Sequence, residues 1–318
     1  MTVLATARRG HPGLYAFAVA MATLTPILAV LAVVDDRVLL GAPLWLKPLK
    51  FAISLALYSA TLAWMLGQLR ERALQRAGWV VAVAGAVEMV IIVGQAAVGN
   101  RSQYNVDTPL SAALWSTMGV TIVVLWLATL AVALRFLRGG ATGPLAEPDG
   151  LATSPGLVIP VHGRGRAATT AIRLGLVVAL VGLAEGFLMA TAGAHAVGVP
   201  DGGPGLPLVG WSTTGGDLRI AHFVGMHALQ GLPLIAAGLA ATARIDEVTR
   251  VRLVQIAAAA WAGLTVLLTW QALCAQPLLA PDATTLAALS LLVLGAAGAA
   301  ASVIVTARRA PVRTVPVV

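Results

Sequence analysis

Eight apolar runs, each about 20 residues long and separated by short polar segments, leave this chain few folds to adopt. They fall at about 13–34, 49–68, 77–98, 109–135, 173–196, 218–240, 250–271 and 284–306. A run of that length spans the roughly 30 Å hydrocarbon core of a bilayer as a helix. A helix satisfies every backbone N–H and C=O within its own segment, which lipid demands. The charged content is 11%, against about 25% in a soluble domain, and the mean hydropathy is +0.88. The sequence therefore predicts an all-α, polytopic integral membrane protein of eight transmembrane helices.

Lysine and arginine set the expected orientation, because cytoplasmic loops carry the excess of them. With the N-terminus inside, all but five of the 21 lie in cytoplasmic segments; the exceptions are Arg37, Lys47, Lys50, Arg101 and Arg219. Both termini are then expected in the cytoplasm, with the chain in a bacterial inner membrane. The net charge of +8 belongs to this topology and is not read as a nucleic-acid surface. Arg8-Arg9 ahead of an apolar run looks like a signal peptide, but the run from Leu14 to Val34 is too long for one and predicts a retained first helix. The lone Cys274 excludes an intrachain disulfide and a cysteine-based zinc site.

A Gly-, Pro- and Arg-rich stretch at 137–172 reads as a flexible cytoplasmic linker between two four-helix units, 1–136 and 173–318. The units resemble each other faintly at a shift of about 170 residues. Trp45 with Leu49-Lys50-Phe51-Ala52 echoes Trp211 with Leu218-Arg219-Ile220-Ala221. Gln95-Ala96 followed by Asp107 and Leu110 echoes Gln271-Ala272 followed by Asp282 and Leu286. A tandem duplication is expected to give two parallel units about an axis along the membrane normal.

Polar residues inside the runs carry the functional signal, since ionisable groups in hydrocarbon are costly and face a partner or a cavity. In the sixth run, Arg219, His222, Met226, His227 and Gln230 share an arc of about 140° at 100° per residue. Glu88 and Gln95 lie on the third run, Glu185 and His195 on the fifth, and Lys50, Ser54, Tyr58 and Thr61 on one face of the second. Most of them sit in the outer halves of their runs, above apolar inner halves. The pattern predicts a funnel open to the outside and closed below, lidded by the Gly/Pro-rich loop 197–216. The segment Gly216-Asp217-Leu218-Arg219, with His222-Phe223, Gly225, His227 and Leu229-Gln230, resembles one found in uncharacterised bacterial polytopic membrane proteins. That resemblance implies a shared site and brings no activity with it.

Three chemistries fit these residues. The first is a haem b or a transition metal used in electron transfer or oxidoreduction, with His195 and His222 as ligands from facing helices. Arg219, Lys50 and Gln230 would hold the cofactor's polar groups, and Glu185, Glu88 and His227 would handle protons. The second is a proton-coupled small-molecule transporter using the midplane Glu88 and Glu185. The third is a hydrolase or isomerase acting on a lipid-borne substrate from the outer face, with Glu185 or His227 as acid/base. The expected partners are the bilayer and a quinone, lipid or small molecule from the outer face.

Overall fold

In the computed structural model, which describes residues 3–67, 71–138, 165–242 and 245–309, almost every apolar run is a helix. A short α1 (Val3–Gly10) leads into α2 (Pro12–Val34), α3 (Leu46–Leu66), α4 (Arg72–Ala97) and α5 (Pro109–Leu137). After them come α6 (Arg166–Ala192), the pair α7 (Leu218–Met226) and α8 (Ala228–Ala241), then α9 (Glu247–Leu273) and α10 (Ala283–Arg309). Among the described residues seven helices of 21 to 29 residues are long and apolar enough to cross a membrane, eight if α7 and α8 form one bent span. At 1.5 Å per residue they reach about 31–43 Å, enough for a bilayer core. Ile27, Val30, Val33, Val90, Leu291 and Leu294 are more than half exposed on helix surfaces, which water would penalise and lipid does not. This is a helical membrane protein. The middle of the expected linker, 139–164, lies outside the described residues; so do Arg70, Arg164, Arg244 and Arg313. α6 begins at Arg166, inside the stretch expected to be linker.

Alternating helix directions gather the loops at two ends. At one end Arg135 pairs with Glu71, Arg173 donates to the Phe136 carbonyl, and His11, buried, caps α2 by accepting the Leu14 N–H. This is the arginine end. At the other, the lid end, Gly41 packs on the Gly202 carbonyl and Gly216 on that of Ala272, while Lys47 reaches Ser102. An apolar cluster that includes Leu62 and Leu66 of α3, Val132 of α5, Leu176 of α6 and Leu229 of α8 joins the two sets of helices. It lies on the arginine side of Lys50 along α3.

The two sets share local features. After the first span of each comes a two-residue antiparallel ladder: β1 (Val38–Leu39) with β2 (Ala42–Pro43), and β3 (Ala196–Val197) with β4 (Gly216–Asp217). α4 and α9 end alike. Asn100 N–H bonds to Gln95 O and Gly99 N–H to Ala96 O; Gln276 N–H bonds to Gln271 O and Ala275 N–H to Ala272 O. Gly99 (φ +79°) and Ala275 (φ +57°) supply the left-handed residue this cap requires.

Candidate functional site at the lid end

The sixth span is not the straight helix its periodicity predicts. It breaks at His227 with a bend of 42°, which ends the single polar stripe from Arg219 to Gln230. Two residues explain the break. Trp261 of α9 donates its indole N–H to the Val224 carbonyl at 2.8 Å, so this carbonyl, in the last turn of α7, has a partner outside the helix. Pro233, inside α8, has no N–H to offer its own preceding turn. The indole fits because residue 231 is glycine; a Cβ there would lie 2.1 Å from the ring. α6 crosses α7 with the backbones nearly touching, since a Cβ on Gly182 would lie 2.3 Å from Met226 N.

Three histidines surround the break and the lid. His222 donates from Nδ1 to the Gly182 carbonyl at 2.8 Å, which fixes its proton and leaves Nε2 with a lone pair. His227 donates to Gln230 Oε1 at 3.2 Å and meets the Phe223 ring edge-on. Phe223 in turn packs edge-on against Trp211 of the lid. His195 is not at the end of a span, as its position in the apolar run predicts. α6 stops at Ala192 with a left-handed Gly193, and His195 lies in the loop before β3. Its Nδ1 is 3.2 Å from Asp201 and 3.8 Å from Asp217, out of line for a hydrogen bond to either. Burial, reinforced by the Arg219 charge, holds this imidazole below the usual histidine range against the pull of both carboxylates.

Asp217 organises the lid. Its side chain is completely buried and accepts the Ser212 N–H at 2.9 Å and Arg219 Nε at 2.9 Å. Arg219 reaches on to the Gly210 carbonyl at 2.6 Å, and Lys50 donates to the Val209 carbonyl at 2.8 Å. Loop 204–213 folds back on itself through Leu206 N–H to Trp211 O and Thr213 N–H to Pro204 O. Its tip is thus tied down by one cation from α3 and one from α7. Lys47, a turn before Lys50, donates to Ser102 Oγ at 2.7 Å. It lies within electrostatic reach of Lys50, Arg219 and Glu88. Tyr104, against Trp115, is pushed up to about 12 by burial and then by Asp201, so its phenol stays neutral.

The two expected carboxylates are both buried, at 2% exposure for Glu88 and 6% for Glu185. Each is held by a threonine of a neighbouring helix: Glu88 by Thr121 of α5, and Glu185 by Thr269 of α9 at 2.7 Å. The second oxygen of Glu185 is buried with no hydrogen-bond partner among the described residues. Among the described residues no three His, Cys, Asp or Glu side chains lie close enough together to hold a metal ion. Asp201, Thr121 and Thr269 are not singled out by the sequence, and Asp217 stands out there only as part of the Gly216–Arg219 segment. A lone threonine in an apolar helix carries no signal until the carboxylate it meets is known. Asp217 is the N-cap of α7, its side chain accepting the Arg219 N–H at the helix start. No family model matches this chain, and no curated protein or solved structure matches it either.

Proposed function

We propose that this protein is a proton-coupled carrier of a small solute in a bacterial inner membrane. In this reading the lid end faces outward, both termini are cytoplasmic, and the helices form two tandem four-helix units. The observation that carries it is Glu185: a buried carboxylate with one oxygen on Thr269 and the other unpartnered among the described residues, on the helix that crosses α7 beside its 42° bend into α8. An unpaired polar atom in an apolar interior costs free energy unless a proton or a ligand takes it up. Discontinuous helices at the interface of repeated units are where carriers place their substrate and coupling ions. The cluster around Leu62 supports a pocket closed toward the arginine end.

Alternating access is the test. In a Cys274→Ser background, Leu62→Cys (0% exposed) is probed in vesicles with an impermeant maleimide. A carrier lets the reagent reach this site from either side, at rates that change with an imposed proton gradient. A residue 62 that stays unreactive from both sides, gradient or not, would refute the proposal.

The haem or metal reading keeps one observation: the Nδ1 bond of His222 to Gly182 leaves Nε2 free, as a ligating imidazole needs. His195, its expected partner, lies in the loop before β3, not on a helix facing His222. An oxidised and reduced absorption spectrum with elemental analysis decides this reading: a Soret band or stoichiometric metal supports it, and a colourless, metal-free protein grown with both supplied removes it.

A further inference from the structure

Beneath the lid stand two lysines, Lys47 and Lys50, with no carboxylate within ion-pair distance among the described residues. Among the described residues every ion pair of Arg37, Arg101, Arg135, His195, Arg219 and Arg250 is with an Asp or Glu, and neither Lys47 nor Lys50 makes one. Each lysine has three N–H donors. Lys47 uses one on Ser102 and Lys50 one on the Val209 carbonyl. They stand three residues apart on α3, so both project toward the same side. Both are half-buried near Arg219. Glu88 attracts Lys47 and Asp217 attracts Lys50, but Asp217 is already paired with Arg219, so an anion between the two lysines would relieve the repulsion that is left. The surroundings are also aromatic: Lys47 Nζ lies 5.9 Å from the centre of the Phe51 ring, and Phe51 and Trp115 pack on the same apolar cluster, with Tyr104 edge-on to Trp115.

We infer that the pocket binds an organic carboxylate with an apolar or aromatic body, its carboxylate held by Lys47 and Lys50 and its body lying toward Phe51 and Trp115. This names the substrate class of the carrier proposed above and rests on that reading for its role. The lid carbonyls support it. Val209 places an acceptor oxygen on Lys50 and Ser102 places one on Lys47, the kind of acceptor that a carboxylate's two oxygens would present to the same cations. Binding there exchanges a neutral acceptor for a charged one, and charge-assisted bonds are about twice as strong.

The experiment is calorimetric titration of the purified full chain in detergent with sodium benzoate, and with benzamide, benzylamine and inorganic phosphate as separate arms. Benzoate is expected to bind, benzamide and benzylamine not to, and phosphate at least roughly tenfold more weakly than benzoate. Lys50→Gln should weaken benzoate roughly tenfold or more, and Lys50→Arg should keep it within a few-fold. Lys47→Gln gives a second, independent loss should the first variant misfold. Equal binding of benzamide, a preference for phosphate, benzoate affinity unchanged in the Lys47→Gln/Lys50→Gln double variant, or no benzoate heat at about 10 mM would each overturn the inference. Those results would leave proton coupling standing. Benzoate binding by a protein whose Leu62→Cys site never changes access would instead keep the carboxylate site and remove the carrier.

Discussion

The helices up to Leu137 and those from Arg166 onward share local features and part company around the lid. In the first unit, β1 and β2 are joined by Leu40 and Gly41, both at positive φ (49° and 73°), as a tight hairpin turn requires. In the second, β3 and β4 hold the same kind of ladder, but residues 198–215 loop out between them and bond to Lys50 and Arg219. The helix that follows differs in the same way. α3 runs unbroken from Leu46 to Leu66, and its counterpart is split into α7 and α8. Tight crossings move too: Gly10 against Gly67 clamps the first unit at its arginine end, and Gly182 against Gly225 clamps the second beside the break. The two sets match in their ladders and in the ends of α4 and α9, and they differ where the lid folds.

Breaking the clamp beside the site should have the largest effect. A leucine at 182 would drive a side chain into the backbone of Gly225 and Met226. Overpacking typically costs about 1–3 kcal/mol, and here the neighbour is backbone that cannot rotate away. Gly182→Leu is expected to abolish the folded, monodisperse peak in size-exclusion chromatography. Gly94→Ala, in the first unit and with nothing within 4 Å of a new Cβ, should leave that peak unchanged.

Next comes the bend that only the second unit has. Trp261→Phe removes the donor to the Val224 carbonyl, and leaving that acceptor unpaired should cost about 1–3 kcal/mol, read as a lower thermal unfolding temperature. A smaller effect tests the shared helix cap. Ala275→Gly gives the second unit the residue the first already uses, and should stabilise it by up to about 1 kcal/mol. Gly99→Ala should destabilise by a similar amount. Opposite signs in the same unfolding assay would establish that the caps are equivalent.

The smallest effect is a pH slope. His195 is held below its ordinary range by burial and Arg219, against Asp201 and Asp217. The unfolded chain therefore binds the proton first as pH falls below about 6.5, and folded stability drops there. His195→Gln should flatten the fall in unfolding temperature between about pH 6.5 and pH 5. An unchanged slope would mean that His195 takes up its proton equally well in both states.

The helices were legible in the sequence because bilayer thickness fixes their length and lipid forbids alternatives. Lys50, Glu88, Glu185 and Arg219 were legible as polar groups in apolar runs. The break at His227 was not, because it depends on an indole from α9 and a glycine at 231 that makes room for it. Gly231 and Pro233 lie in the sixth run, but without the indole of α9 neither marks His227 as the place of the break. His195 was misplaced by the apolar residues around it; Gly193 ends α6 at a left-handed turn that hydrophobicity does not register. The pairing of Glu185 with Thr269 joins residues on different spans, and periodicity within one span cannot see it.

The central claim is that Glu185 couples a proton to the movement of a solute. The direct test is uptake of labelled solutes (carboxylates, phosphate esters, sugars and amines) into reconstituted vesicles that are acid outside, against protein-free vesicles. The account predicts gradient-driven accumulation of at least one solute by the native protein. Glu185→Gln should lose that accumulation and still exchange the same solute across the membrane. Accumulation that ignores the gradient, accumulation that survives Glu185→Gln, or no uptake above protein-free vesicles would contradict it.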